Sequence, residues 1–250
     1  MRAALHPDFL TRPIAHRAFH DLTQNRPENS LAAFVLAVQH GADLVETDLW
    51  VSADGEIVCH HDATLQRIFG DPRRVDAMSA AELGRLRMIG GHGVATWADE
   101  RLPTLEALLS VLPDEVVPML ELKDPRFGDA ARIRRLVEIL GARVGERRVG
   151  VLTEHLSLLR AVKAAVPELV VGYIALANPF GPRWPELLGP WWPILRLNPL
   201  YVRMAHRRGQ RVCPLDPDLH RRLARYLALD VDALLTNDPR ETRRRVDALR

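Results

Sequence analysis

The chain has 250 residues, of which 47% are apolar and 26% charged, and its formal net charge is +2. A chain this long buries about three quarters of its unfolded surface, so it needs no staples, and its near-neutral balance excludes a dedicated nucleic-acid binder. Cys59 and Cys213 stand far apart inside apolar segments, which matches neither a disulfide framework nor a zinc site and points to buried free thiols.

In chain order, Met1–Pro13 carries Arg2 but no apolar stretch of signal-peptide length, and no later run approaches the ~20 apolar residues of a membrane span. The expected location is therefore cytoplasmic. Short β-prone runs then alternate with helical ones. Strands are expected at Pro13–His16, Leu44–Leu49, Glu56–His61, Val116–Lys123, Arg148–Thr153, Leu169–Ala175, Arg211–Leu215 and Asp232–Thr236. Helical spacing marks Ser30–His40, Ser79–Met88, Thr104–Leu112, Asp129–Val144, Leu156–Val166, Pro199–Arg208 and Pro217–Leu229. Asn29 or Ser30 can cap the first of these helices, and Gly41 can end it in the left-handed conformation.

Two segments interrupt the alternation: Leu65–Asp99, with its own helix and Gly90, Gly91 and Gly93, and Asn178–Pro193, with Trp184, Trp191 and Trp192. Both are expected as loops over a shared opening. Arg240, Arg243, Arg244 and Arg245, mixed with Glu241 and Asp247, suit a solvated last helix. Eight strands with intervening helices predict a closed (β/α)8 barrel as one unit over residues 1–250. The competing open sheet would place a glycine-rich phosphate loop after a strand, and none follows.

Function in such barrels sits where strands end, and His16, Asp48, His61 and Lys123 lie at such ends. Glu46 and Asp48 are two residues apart, so both carboxylates leave a strand on one side, and Glu121 with Lys123 repeats the spacing. Acids buried together need a counter-charge, and an oxygen-only set suits Mg²⁺ or Ca²⁺ better than Zn²⁺. His16 and His61 are matched to proton transfer near neutrality, and Arg17 offers a planar fork to phosphate oxygens. Asp54-Gly55 signals a two-residue hairpin turn. In that register, positions summing to 109 face each other, which sets Asp48 against His61 and turns His60 away. His20 and His92 sit in loops that could face the opening, and Glu28-Asn29 fits a helix start as well as a site.

The collinear series His16-Arg17, Pro27–Ser30, Glu46–Asp48, Asp54-Gly55, His61-Asp62, Pro103–Glu106 and Glu121–Lys123 resembles the glycerophosphodiester phosphodiesterases, as does the closing segment 232–239. The resemblance spans almost the whole chain. It implies a TIM-type barrel that hydrolyses glycerophosphodiesters to sn-glycerol 3-phosphate and an alcohol. It implies a divalent cation on Glu46, Asp48 and Glu121, His16 as base and His61 as acid, with Arg17 and Lys123 on the substrate. Ala18 replaces the family's usual glycine, and Cys213-Pro214-Leu215 replaces its usual Trp-Thr-Val, both where the substrate's alcohol or glycerol would be held. A lysophospholipase-D-like enzyme is the nearest alternative, with Trp184, Trp191, Trp192, Ile194 and Leu195 receiving an acyl chain or making transient contact with a bilayer surface. A non-catalytic phosphate-ligand binder on the same scaffold is the other.

Overall fold

Alternate side chains of each strand face a common interior, and that parity organises the molecule. The computed structural model describes residues 12–21, 26–89 and 99–249. Its strands are β1 (Arg12–Ala15), β2 (Leu44–Val51), β3 (Ile57–Cys59), β4 (Val117–Leu122), β5 (Gly150–Thr153), β6 (Val170–Ala175), β7 (Leu187–Pro190), β8 (Arg211–Val212) and β9 (Ala233–Thr236). Eight pair in parallel in the order β8-β7-β6-β5-β4-β2-β1-β9, while β3 forms an antiparallel arm on β2. The result is a nearly closed (β/α)8 barrel ringed by helices. Its seam, between β8 and β9, is held by Asp232: its backbone N–H donates to the Val212 carbonyl at 2.9 Å, and its buried carboxylate accepts from Val212 N and Arg211 at 2.8 Å each.

Parity decides burial along β2. Val45, Leu49 and Val51 join the apolar layer beneath the outer helices, with Leu120 and Leu122 of β4. Leu44 turns inward and meets Ile14, Met119, Val170, Leu187 and Ala233, an apolar floor inside the barrel. One step nearer the carboxyl ends of the strands, the inward positions become Glu46, Asp48 and Glu121. Apolar layers below and polar groups above are the normal division of labour in such barrels.

The membership of the eight strands differs from the sequence expectation. Glu56–His61 contributes only the short arm β3, outside the barrel, and the missing barrel strand is β7, inside the segment expected as a loop. Pro185, Gly189 and Pro190 look like loop punctuation, yet Leu187 and Leu188 are buried and Pro190 is the last residue of the strand. No helix separates β6 from β7 among the described residues.

Two expected helices are cut short at glycines. Ser79–Met88 shrinks to Ala80–Leu83, with a Ser79/Glu82 capping box and a stop at Gly84. Asp129–Val144 breaks at Gly141, whose φ of +53° cannot continue a helix. Ser30 caps the helix Leu31–Gln39, and Gly41 follows at φ +79°. The last helix, Pro239–Leu249, pairs Glu241 with Arg244 and Arg245. Residues 1–11, part of the loop after Ala18, and the stretch with Gly90, Gly91, His92 and Gly93 lie outside the described residues. Among the described residues no helix is long and apolar enough to cross a membrane.

Candidate active site

The pairing of β2 with β4 sets Asp48 beside Glu121 and Glu46 beside Met119. Glu46, Asp48 and Glu121 each offer an oxygen within 4.8 Å of the others'. Burial, then repulsion from Asp48 and Glu121, raises the Glu46 carboxyl well above its ordinary range. Burial and Asp48 raise Glu121 to about 7. Lys123 Nζ lies 2.5 Å from Glu121 and 3.5 Å from Asp48, and these carboxylates, with Glu46, outweigh its own desolvation and raise its pKa. Arg17 Nε lies 3.3 Å from Asp48. Glu46 has no ion-pair partner among the described residues. Two buried acids and a partly buried third therefore face two cationic side chains, and an oxygen-ligating divalent ion fits the deficit.

Arg17 is placed by a strained turn. Arg17 and Ala18 both take left-handed conformations, with φ of +50° and +75°. That turn aims the Arg17 N–H at Glu46 Oε2, 3.0 Å away. A glycine would take the conformation of Ala18 without strain, whereas an L-residue there costs about 1–2 kcal/mol. Arg17 Nη1 donates to Glu28 at 3.1 Å, and Asn29, itself at φ +56°, donates to Asp48 at 3.3 Å and accepts from Thr47 at 2.8 Å. Glu28 and Asn29 thus belong to the site; the helix start itself is capped by Ser30.

His16 and His61 line the same cavity. His16 Nδ1 meets Asn237 Oδ1 at 2.8 Å, and desolvation and Arg17 push its imidazole down to about 4. His61 Nδ1 lies 2.6 Å from Asp62, and Trp50 Nε1 pins the His61 carbonyl at 3.2 Å. Asp62 in turn accepts from Arg67 Nε at 2.7 Å, and both terminal nitrogens of Arg67 grip Glu28 at 2.7 Å. One continuous chain of charged groups therefore joins His61, Asp62, Arg67, Glu28 and Arg17. Burial alone would raise Asp62 and Glu28, yet their bonds to Arg67 prevail and hold both down at about 2. Arg67 and Asn237 were not among the residues expected from the sequence; their only signals were a charged residue one helical turn past His61-Asp62 and a polar residue just after the last strand.

His61 reaches the cavity, but not in the hairpin register expected for it. Observed partners sum to 108, and the loop has three residues, because Ser52 Oγ bonds Asp54 and Glu56 N and Gly55 takes φ +95°. Asp48 therefore lies across from His60, whose N–H donates to the Asp48 carbonyl at 2.9 Å. The strand ends at Cys59, so alternation stops there: His60 is buried against Phe69 with Nε2 on the Thr64 carbonyl, while His61 turns to the cavity. His20 sits 6.1 Å from His16, ring to ring, with neither nitrogen bonded.

The cavity, about 740 Å³, is charged on one side and apolar on the other, where Leu152, Ile174, Leu188, Trp191 and Leu215 form its wall. Cys213 also lines it and is only half-buried, whereas Cys59 is fully buried. Of the residues expected to receive an acyl chain, Ile194 and Leu195 are core, Trp184 packs on the core, and Trp192 lies under Arg222 at 3.9 Å. Of these five, Trp191 alone is both exposed and at the cavity.

The sequence profile of the glycerophosphoryl diester phosphodiesterase family matches residues 16–241. A glycerophosphodiester phosphodiesterase of Caldanaerobacter subterraneus subsp. tengcongensis is 28% identical over 242 residues, covering 92% of this chain and 95% of that protein. Among solved structures, a phosphodiesterase of Oleispira antarctica in complex with its product sn-glycerol-3-phosphate superposes with a TM-score of 0.82 at 24% identity, over 96% of this chain and 98% of that one. A glycerophosphodiester phosphodiesterase of Parabacteroides distasonis gives 0.80 at 21% identity, over 95% and 97%. The chain belongs to the glycerophosphoryl diester phosphodiesterase family, a family of phosphoric diester hydrolases.

Proposed function

We propose that this chain hydrolyses glycerophosphodiesters to sn-glycerol 3-phosphate and an alcohol, using a divalent cation held by Glu46, Asp48 and Glu121. The observation that carries the reading is the three-carboxylate cluster, short of positive charge, one layer above the apolar floor of a cavity that His16 and His61 both line. A bound Mg²⁺ or Ca²⁺ supplies positive charge to the phosphoryl oxygens and lowers the cost of the charge that builds there.

Arg17 and Lys123 place two more positive charges around that position, and Glu28 and Glu121 fix their directions. His16, neutral near pH 7, accepts the proton of the attacking hydroxyl, whether of water or of the substrate's own 2-position. His61, whose Nδ1 is held by Asp62 at 2.6 Å, donates a proton from its other ring nitrogen to the leaving oxygen as its bond to phosphorus breaks. Asn237 and Asp62 hold the two imidazoles in place.

The apolar wall favours a second reading on the same chemistry, hydrolysis of lysophospholipids, because a headgroup diester alone makes no use of Leu152, Ile174 and Leu188. Phosphorus NMR of glycerophosphocholine and lysophosphatidylcholine, with Mg²⁺, with Ca²⁺ and with chelator, tests both readings. Release of sn-glycerol 3-phosphate that stops with chelator is the expected result. No release with either metal leaves a phosphate-ligand binder, and full turnover in chelator defeats the carboxylate assignment.

A further inference from the structure

We propose that the surface formed by residues 176–208 docks the mouth of the barrel onto an anionic phospholipid bilayer. Five large apolar side chains stand exposed in this stretch: Leu176 (52%), Phe180 (63%), Trp191 (36%), Leu197 (79%) and Leu200 (57%). The other large exposed apolar residues among those described, Val35, Ile89 and Leu249, are scattered over the chain. Scattered apolar residues are ordinary on a protein surface, but a contiguous group marks an interaction site.

The group is contiguous for structural reasons. With no helix between β6 and β7, the chain runs along the outside of the barrel, where the Pro179 carbonyl accepts from Asn198 at 2.8 Å and the Phe180 carbonyl from Arg208 at 3.2 Å. Those bonds hold Phe180 beside Leu197 and Leu200. At the rim, Trp191 N–H donates to the Ala175 carbonyl at 2.8 Å, which sets Trp191 next to Leu176, and both line the cavity. The helix Trp192–Leu197 joins the two groups, burying Ile194 and Leu195 and presenting Arg196 and Leu197 outward.

Charge identifies the occupant. Residues 176–208 carry five arginines against one glutamate, a net +4 in a chain of net +2, so everything outside the segment sums to −2. The one acid, Glu186, is already held by Lys163 at 2.7 Å. Arg183, Arg196, Arg203 and Arg207 are exposed and form no ion pair with a described residue. A second copy of the chain would bring the same positive charge against this face, which disfavours a self-contact. Apolar side chains ringed by arginine, with a tryptophan at the rim, match the boundary of a bilayer that carries anionic headgroups. The mouth would then open toward lipid, the source of a substrate with an acyl chain, though docking itself stands independently of the reaction proposed above.

The test is sedimentation of the full chain with vesicles of phosphatidylcholine alone and of phosphatidylcholine mixed with phosphatidylglycerol, at low and high salt. Binding to the mixed vesicles, weakened by salt, is expected. Arg196→Gln with Arg203→Gln should reduce it about fivefold for each arginine removed. Phe180→Ser with Leu197→Ser and Leu200→Ser should abolish it. Turnover of soluble glycerophosphocholine should be unchanged in both variants, which separates loss of docking from failure of the catalytic reading. Wild-type protein that stays in the supernatant overturns the proposal. So does binding that neither variant alters, or light scattering that shows a dimer dispersed by the same substitutions.

Discussion

The two sides of the cavity follow opposite rules. On the side of β1, β2 and β4, ionic groups are cross-linked: Asp48 meets Arg17, Lys123 and Asn29, Glu28 meets Arg17 and Arg67, and Asp62 meets His61 and Arg67. On the side of β6, β7 and β8 the wall is Ile174, Leu187, Leu188 and Val212, and of the acids that also line the cavity there, Asp216 is held by Arg222 at 2.6 Å and by Tyr226, and Asp232 by Arg211 at 2.8 Å. Groups that move protons or hold charge in a low dielectric must be fixed in direction, because a misplaced or unpaired charge there costs several kcal/mol. An apolar wall needs only volume and shape, so it tolerates apolar exchange that the charged side does not.

If that division is right, substitutions on the charged side should damage rate and those on the wall should damage selectivity. The largest effect belongs to the imidazoles. His16→Ala and His61→Ala should each lower kcat by about 10²–10⁴ with little change in KM, measured as release of glycerol phosphate. Near-normal turnover in both would break the contrast at its strongest point.

Among the described residues Arg67 bonds Asp62 and Glu28, and through them reaches His61 and Arg17, so its loss should act by releasing their orientation. Arg67→Met should cost about 10–100-fold in kcat. Arg67→Lys should recover little, since a single ammonium cannot grip Glu28 with two parallel bonds and Asp62 with a third. Without Arg67 the Asp62 carboxyl rises from about 2, so the acidic limb of the pH profile should move upward. Arg73→Met, which breaks only the exposed pair with Asp71, serves as the control that should change neither.

Much of the charged side is legible in the amino-acid sequence because it depends on local parity. The two-residue spacing of Glu46 and Asp48 fixes a shared face on any strand, and Glu121 with Lys123 repeats it on the neighbouring one. What the sequence hides depends on contacts between distant residues. Strand β7 is a strand because β6 and β8 supply its hydrogen bonds on either side, which Gly189 and Pro190 conceal. The hairpin register turns on one serine hydroxyl that adds a third loop residue. Arg67 and Asn237 enter the site through side-chain reach, which no periodicity reports, and the left-handed turn at Arg17 and Ala18 follows from its bonds to Glu46 and Asn29 and not from residue preference.

The smallest effect tests the charge deficit in the carboxylate cluster. Glu121 titrates near 7 when folded against 4.5 as its ordinary value. Between those two pH values the folded metal-free protein holds a proton that the unfolded chain has released. That contribution to stability is present below 4.5 and is lost as pH rises through 7. His16, lowered from 6.5 to about 4, acts oppositely, because the unfolded chain binds the extra proton and stability falls with falling pH in that window. The two are separated by comparing wild-type protein with Glu121→Gln in chelator. The variant should gain stability relative to wild type as pH rises from 4.5 to 7, by about 1–3 kcal/mol. The gain corresponds to about 2–12 °C in melting midpoint. Added Mg²⁺ or Ca²⁺ should erase that gap above pH 7 by raising the wild-type midpoint, and Glu46→Gln should blunt the response. A wild-type protein that is no less stable than Glu121→Gln at high pH, and that melts identically with and without metal, would mean that Lys123 and Arg17 already balance the acids. The charged side would then be a self-contained ion-pair network like those on the outer surface, and the distinction between the two walls would lose its physical basis.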